Sequence, residues 1–156
     1  MNSGMTSPIN LNEIDVLTLL PQRRPFVMID HLTYCDQVLT TTTFEVREDN
    51  LFLDGNILNS CAVLENIAQT CAARMGYLNK YVYREKVKLG FIGGIRNFCL
   101  QRPAVLGETL TTTIEVIEEV MKMILVNAYV RVGDETIATA EMKIAQTDIE
   151  VGKNDE

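Results

Sequence analysis

The sequence predicts a single α+β domain in which one antiparallel sheet wraps around one long central helix. Residues 59–80 form a long segment rich in Ala, and its Ala, Leu, Met and other apolar side chains lie on nearly every face of a helix. Two β-rich segments precede this helix and about four follow it with short connections, a spacing typical of antiparallel pairing. A helix that is apolar on all sides must be buried by the rest of the protein. With this order of elements, a curled sheet formed by the strands can surround the helix.

The first elements are predicted to be a short helix and two strands. Apolar residues are frequent over residues 12–20, and Pro21 ends that helix because proline cannot continue its hydrogen-bond pattern. Residues 26–34 and 38–46 are rich in β-branched and aromatic side chains, as strands are. These two strands are expected to begin the sheet.

The long helix follows a loop over residues 49–59. The loop contains Asp54-Gly55-Asn56, which is a strong turn signal. Asn59 and Ser60 both suit the N-cap position, because their side chains can accept a hydrogen bond from the first free backbone N–H groups. The helix is therefore expected to start there and to run to about Lys80.

Four β-rich segments complete the domain. Arg102-Pro103 and Gly107 separate the first two, and Val132-Gly133-Asp134-Glu135 is a tight hairpin turn between the last two. Loose alternation of polar and apolar residues over 111–118 predicts one solvent-exposed sheet face. The four segments are residues 87–101, 108–120, 121–132 and 136–146.

Composition sets bounds on the domain and its partners. One domain over residues 11–148 is expected, with flexible segments at residues 1–10 and 149–156. The 156-residue chain is 47% apolar and 22% charged, which excludes a wholly disordered protein. Its formal net charge of -7 argues against nucleic-acid binding, because phosphate binding requires clustered Lys and Arg.

A cytoplasmic protein without a membrane span is expected. The longest nearly apolar stretch, residues 61–78, is interrupted by polar side chains such as Glu65 and Arg74. The first residues lack the basic region and apolar core of a signal peptide. The four cysteines contain no CxxC pair and are interpreted as reduced core residues; they are Cys35, Cys61, Cys71 and Cys99.

Three motifs occur in order along the chain. Residues 20–30 read Leu-Pro-Gln-Arg-Arg-Pro-Phe-Val-Met-Ile-Asp, the helix carries Leu64-Glu65-Asn66-Ile67-Ala68-Gln69, and Gly90-Phe91-Ile92-Gly93-Gly94 begins a strand that precedes Arg102-Pro103. Together they resemble the motifs of the 3-hydroxyacyl-acyl-carrier-protein (ACP) dehydratases of fatty-acid synthesis, which have the hotdog fold. The resemblance covers residues 20–146. The helix motif is similar in particular to that of the small dehydratase-like subunit of aryl-polyene and flexirubin-type pigment synthesis.

The resemblance implies dehydration of a (3R)-3-hydroxyacyl thioester. The substrate would be carried on the phosphopantetheine of an acyl carrier protein, with no metal or diffusible cofactor. The reaction removes an α-proton and protonates the leaving hydroxyl, so it needs an acid and a base. Glu65 is the expected general acid/base, because a carboxylate in an apolar helix is costly to bury unpaired and its pKa should rise. The alternative is a structural role, in which Glu65 pairs with Arg74, Arg96 or a backbone amide.

Gln69 lies four residues after Glu65 on the same helical face. It would orient the carboxylate or the leaving hydroxyl. Alternatively, it satisfies a backbone group where helix and sheet meet.

The histidine of the family motif is missing. Members have His-Phe-Pro-Gly-Asn-Pro before the central helix, whereas residues 51–57 read Leu-Phe-Leu-Asp-Gly-Asn-Ile. The single histidine, His31, is expected to be an ordinary strand residue. Asp54 or Asn56 would supply the missing polar group, and Gly55 would let its amide approach the thioester; a plain turn before the helix is the alternative.

Further residues are candidates for substrate binding. Asn66 lies off the face of the helix carboxylate and points either into the pocket or toward a partner subunit. Gly93-Gly94 inside a strand predicts close approach of a ligand, or a simple bulge. The resemblance places this strand, with Phe91, along an acyl tunnel. Arg23 and Arg24 would meet the acidic carrier protein, or belong to a solvated turn.

The missing histidine leaves three functions open. Hotdog dehydratases pair as dimers whose sites draw residues from both subunits. The chain would therefore donate Glu65 to a site completed by a His-bearing subunit, or would form a homodimer with a His-independent mechanism. A hotdog thioesterase would use Glu65, Asn66 and Gln69 to activate water and would release a free acid. A non-catalytic acyl-ACP-binding subunit would keep the tunnel without the chemistry.

Overall fold

The computed structural model describes residues 10–150, and these form an antiparallel sheet curled around helix α1 (Ser60–Tyr77). The predicted α+β class and the predicted topology are confirmed. A two-stranded hairpin, β3 (Leu53–Asp54) with β4 (Ile57–Leu58), precedes the helix. The other strands are β1 (His31–Cys35), β2 (Leu39–Glu45), β5 (Lys88–Leu100), β6 (Thr109–Val120), β7 (Met123–Val132) and β8 (Glu135–Glu150).

Six strands form the main sheet in the order β1-β2-β6-β7-β8-β5. Every neighbouring pair is antiparallel, and tight connections join β1 to β2, β6 to β7 and β7 to β8. The segment that contains α1 connects β2 to β5, so the helix crosses the sheet and contacts β1, β2, β5 and β6. As a result, β1 and β5 are the two edges of the sheet.

The core lies between α1 and the concave face of the sheet. Val63, Ile67 and Cys71 from the helix pack against buried side chains of the strands, including Ile114 and Met142. Burial of these apolar side chains is the main stabilising contribution to the fold. The helix is covered on its other side as well, where Ala73 packs in a second cluster with the residues before β1, including Leu19, Leu20 and Ile29.

Helix α1 begins where the sequence predicts. Asn59 is the N-cap, and its Oδ1 accepts a hydrogen bond of 2.8 Å from the backbone N–H of Cys61. The α-helix ends at Tyr77 and a π-helical turn, Leu78–Val82, continues it past the predicted end at Lys80.

The predicted helix over residues 12–20 is wrong. The chain forms two short 3-10 helices there, Leu11–Glu13 and Val16–Thr18. Asp15 lies between them in extended conformation and its side chain accepts a hydrogen bond from Leu17 N. An N-cap in the middle of the segment starts a new turn instead of continuing the first one.

The predicted strand over residues 26–34 starts too early. Strand β1 begins only at His31. The backbone groups of Phe26 and Met28 bond to side chains of α1 instead of a neighbouring strand. The predicted loop over 49–59 also contains a regular element, the β3–β4 hairpin.

The cysteine prediction is only partly correct. All four thiols are free. Cys71 is a core residue, and burial raises the pKa of its thiol to about 12. Cys61 in the first turn of α1 and Cys99 on β5 are exposed, contrary to the prediction, because each side chain faces away from the helix–sheet interface.

The predicted flexible ends fall only partly within the described residues. Residues 1–9 and 151–156 of the segments expected to be flexible lie outside the described residues, whereas Ile149 and Glu150 belong to β8. Among residues 10–150, no helix is both long and apolar enough to cross a membrane.

Gly76 fixes the distance between α1 and the segment before β1. A Cβ atom at this position would lie 2.4 Å from the backbone oxygen of Leu19, far inside van der Waals contact. We expect Gly76→Ala to lower the free energy of unfolding by about 2–3 kcal/mol, because a backbone atom has to move to make room. Urea denaturation measures this change.

Gly94→Ala is the matched control, since a Cβ there would meet no atom within 4 Å. Its free energy of unfolding should stay close to that of the wild type. Equal stabilities of the two variants would show that the contact between Gly76 and Leu19 does not set this packing.

Candidate active site

Glu65 lies at a cavity between α1 and β5. The cavity has a volume of about 240 Å³. One face of the helix forms one wall, because positions three or four residues apart lie above one another on a helix. Small alanines leave the space open, and of the lining side chains only Glu65 and Gln22 are polar. The helix supplies Glu65, Ala68, Ala72 and Met75, and the strand supplies Gly90, Phe91 and Ile92.

The side-chain amide of Gln69 holds the Glu65 carboxylate. Gln69 Nε2 donates a hydrogen bond of 2.9 Å to Glu65 Oε1 and another of 2.8 Å to the backbone oxygen of Phe26. Gln69 Oε1 accepts a bond of 2.6 Å from the backbone N–H of Met28. The N–H of Met28 can pair only with the amide oxygen, so the NH₂ group must face Glu65. The predicted alternatives for Gln69 therefore occur together: it contacts the carboxylate and satisfies backbone groups.

Asn66 points neither into the cavity nor toward the surface. It is fully buried, and its Nδ2 donates a 2.8 Å hydrogen bond to the backbone oxygen of Met28. Its Oδ1 accepts a 2.5 Å bond from Thr112 of β6. Its backbone oxygen accepts from Thr70, whose hydroxyl pairs at 2.7 Å with that of Thr42 on β2. Asn66 thus joins α1 to the sheet and to the segment before β1.

Asp54, Gly55 and Asn56 form the turn of the β3–β4 hairpin. Gly55 has a positive φ of 62°, a conformation that favours glycine. Asp54 and Asn56 are exposed, and the Asn56 backbone oxygen accepts a 2.9 Å hydrogen bond from Leu106. None of the three lines the cavity beside Glu65.

Strand β5 contributes Phe91 to the cavity wall, as predicted. The glycine in the wall is Gly90, and not the predicted Gly93 or Gly94. A Cβ at Gly90 would lie 3.0 Å from Met75 Cε, so this glycine makes room for the methionine. Gly93 lies against Lys143, and a Cβ at Gly94 would meet nothing within 4 Å. The helical residues of the wall, Ala68, Ala72 and Met75, were not predicted. Their spacing of three, seven and ten residues from Glu65 places them on its face of the helix and could have indicated them.

His31 is remote from this arrangement. It is exposed on β1 and lines a different cavity, together with Asp30 and Arg47. Asp30 is engaged there by the Arg47 guanidinium in two hydrogen bonds of 3.1 and 3.0 Å. The only histidine of the sequence therefore does not belong to the cavity of Glu65.

Other motif residues have structural contacts. The Arg23 guanidinium donates to the backbone oxygens of Leu17, Leu20 and Gln22 at 3.3, 2.9 and 3.0 Å, whereas Arg24 is exposed. Arg102 pairs with Glu108 through two hydrogen bonds of 2.9 Å. This pairing lowers the pKa of the Glu108 carboxyl. It ties together the two ends of the turn between β5 and β6.

The outer edge of β5 is exposed and apolar. Within the described part of the chain, β5 pairs only with β8, so one side of this 13-residue strand carries unpaired backbone groups. Phe91, Ile92 and Ile95 are 54%, 45% and 40% exposed. An unpaired strand with exposed apolar side chains is suited to pairing with another chain.

The antiparallel sheet wrapped around one long helix defines the class of this chain, which is a hotdog protein. The ApeP-like family model, described as ApeP dehydratase, matches residues 14–154, so the chain belongs to this family.

Comparison with individual proteins supports this family assignment. The chain is 25% identical to the 3-hydroxyacyl-ACP dehydratase FabZ of Desulfotalea psychrophila over 146 residues, which cover 90% of this chain and 96% of that one. It is 28% identical to FabZ of Thermoanaerobacter pseudethanolicus over 142 residues, covering 86% and 96%. Among solved structures, the dehydratase heterocomplex ApeI:P from Xenorhabdus doucetiae shares the fold with a TM-score of 0.81 at 18% identity, covering 86% and 92%.

The Gln69 contacts are testable through stability. We expect Gln69→Met to lower the free energy of unfolding by about 2–4 kcal/mol, because it leaves the buried N–H of Met28 and oxygen of Phe26 without their partner. Urea denaturation followed by circular dichroism measures the change.

Gln22→Met is the matched control on the same cavity. Gln22 Oε1 is buried and has no hydrogen-bond partner among the described residues, so losing it should cost nothing. If the two variants lost the same stability, the Gln69 hydrogen bonds would not be what holds this segment.

Proposed function

We propose that this chain supplies the carboxylate half of a (3R)-3-hydroxyacyl-ACP dehydratase, and that a second hotdog subunit supplies the histidine. The proposal rests on the separation of Glu65 from His31, the single histidine of the sequence. Glu65 is oriented by Gln69 at an apolar cavity, while His31 lines another cavity. A site with one of the two proton-transfer groups requires the other from outside.

Each group has one task in this proposal. The histidine of the partner subunit removes the α-proton of the thioester, and the Glu65 carboxyl protonates the leaving hydroxyl. Because Gln69 Nε2 donates to Oε1, the other carboxyl oxygen is the one that carries the transferred proton. Water is the product that leaves, and an enoyl thioester remains.

The cavity suits the acyl part of such a substrate. Beyond Glu65 its helical wall consists of Ala68, Ala72 and Met75, which are apolar as an acyl chain requires. The family and the FabZ relatives favour a substrate on acyl carrier protein, and the helix motif favours a chain of fatty-acid or aryl-polyene synthesis. We propose that the exposed Arg24 is available to the acidic carrier, whereas Arg23 is occupied by backbone oxygens.

Hydrolysis of the thioester is less well supported. A thioesterase of this kind would use Asn66 to position water, but both ends of the Asn66 amide are bound inside the protein. The reaction product distinguishes the two activities, because a thioesterase releases a free acid.

Glu65→Gln should abolish the dehydratase activity. We expect the chain, combined with a His-bearing hotdog subunit, to convert 3-hydroxyacyl-ACP to a product lighter by one water, and Glu65→Gln to slow this at least ~100-fold. The variant keeps an oxygen that accepts from Gln69, so its stability should be close to that of the wild type. Mass spectrometry of the acyl-ACP measures the conversion.

Glu48→Gln is the control, because Glu48 is exposed in the loop before β3 and lines none of the cavities described above. Free acid and free ACP thiol would establish hydrolysis instead. Acyl-ACP that is bound but unchanged by the wild-type pair would establish a non-catalytic subunit.

We propose further that the partner pairs with the outer edge of β5. Ile95→Lys should then weaken the dimer at least tenfold, because a charge would be buried among apolar side chains. Thr33→Lys, on the opposite sheet edge at β1, is the control and should leave the dimer intact. Sedimentation velocity over a range of concentrations measures both, and an unchanged dimer in Ile95→Lys would place the interface elsewhere.

A further inference from the structure

The cavity beside Glu65 ends at Met75. This methionine follows Glu65 by ten positions on α1, and both side chains line the cavity. Met75 is only 8% exposed. A Cβ atom on Gly90 would lie 3.0 Å from Met75 Cε, so the methionine reaches from the helix to the bare backbone of β5. Because the cavity lies between α1 and β5, a side chain that connects the two closes it.

A second cavity lies on the other side of this methionine. It has a volume of about 280 Å³ and lies between the C-terminal part of α1 and the turn that joins β6 to β7. Met75 and Ile144 line both cavities, so these two side chains form the wall that separates them. Ile144 is part of the main core on β8. Met75 is unbranched and packs on a glycine, so it is the part of the wall that a substitution can remove.

The helix sets the distance from Glu65 to this wall. Ala72 follows Glu65 by seven positions, nearly two full turns, so both lie on one face of α1, about 10 Å apart along the axis. Helical side chains tilt toward the N-terminus of their helix, so Met75 covers the space directly beyond Ala72. An extended alkyl chain advances roughly 1.2 Å per bond, and about eight bonds therefore fit between Glu65 and Met75.

We propose that Met75 is a specificity-determining residue that sets the longest acyl chain the cavity accepts. The inference rests on the proposed function, since it takes the cavity beside Glu65 as the acyl site. In that function Glu65 faces the hydroxyl on the third carbon of the chain, and about eight further carbons reach Met75. The preferred substrates are therefore acyl chains of up to about eleven carbons.

Saturated acyl-phosphopantetheines, which cannot be dehydrated, test the inference separately from catalysis. The full-length chain is titrated calorimetrically with the hexanoyl, decanoyl and tetradecanoyl ligands, each below the concentration at which it forms micelles. We expect the decanoyl ligand to bind at least ~10-fold more tightly than the hexanoyl ligand, because its additional carbons bury apolar surface in the cavity. The tetradecanoyl ligand should bind no more tightly than the decanoyl ligand, because Met75 occupies the space that its last carbons need.

Met75→Ala should remove the limit on chain length. The substitution opens the wall to the second cavity, so the tetradecanoyl ligand should bind the variant at least ~10-fold more tightly than it binds the wild type. The Kd of the hexanoyl ligand should stay unchanged, because this chain ends before the wall. Met123→Ala is the matched control, since Met123 on β7 lines neither cavity, and its three Kd values should equal those of the wild type.

Ala72→Leu should move the limit in the opposite direction. Its additional side-chain atoms fill the cavity before Met75, so the decanoyl ligand should lose its advantage over the hexanoyl ligand. Circular dichroism confirms that each variant is folded. The use of both variants keeps the test valid if Met75→Ala fails to fold.

The outcomes separate this inference from the proposed function. Tighter binding of the tetradecanoyl than of the decanoyl ligand to the wild type, or an unchanged preference for chain length in the folded variants, would overturn the role of Met75. The cavity beside Glu65 would then remain the acyl site. Failure of all three ligands to bind the wild type would overturn that acyl site, and the role of Met75 with it.

Discussion

The hydrogen bonds of the Gln69 amide determine how helix α1, the segment before β1 and the Glu65 carboxylate are arranged. One acceptor and two donor hydrogens connect α1 to the backbone of Met28 and Phe26 and to the Glu65 carboxylate. The backbone groups of Phe26 and Met28 cannot pair with a strand while they are bonded to the helix. A reversal of the amide would lose all three bonds, so the Glu65 carboxylate is held at the cavity by a fixed donor.

One face of α1 packs against the sheet and a neighbouring face lines the cavity beside Glu65. Asn66 and Thr70 bind β2, β6 and Met28 through a fully buried polar network, which fixes the register between helix and sheet. The neighbouring face carries Ala68 and Ala72, whose small side chains leave a space that larger residues would fill. The buried polar network therefore lies on one side of the helix and the open cavity on the other.

Much of the fold was predictable because its signals are local. Strand propensity, the turn at Gly133 and the N-cap Asn59 each act within a few residues, and an apolar helix has to be covered. The contact of Glu65 with Gln69 follows from their spacing of four. The actual start of β1 and the inward direction of Asn66 depend on partners far along the chain, which no local pattern specifies.

The central claim is that Glu65 acts in one site with a histidine from a second subunit. The most direct measurement mixes this chain with a His-bearing hotdog dehydratase subunit whose own helix carboxylate has been changed to an amide. Mass spectrometry then follows loss of water from 3-hydroxyacyl-ACP. We expect dehydration by the mixture and by neither component alone, because each holds one of the two proton-transfer groups. Dehydration by this chain alone, or none by a mixture that has formed the heterodimer, would contradict it.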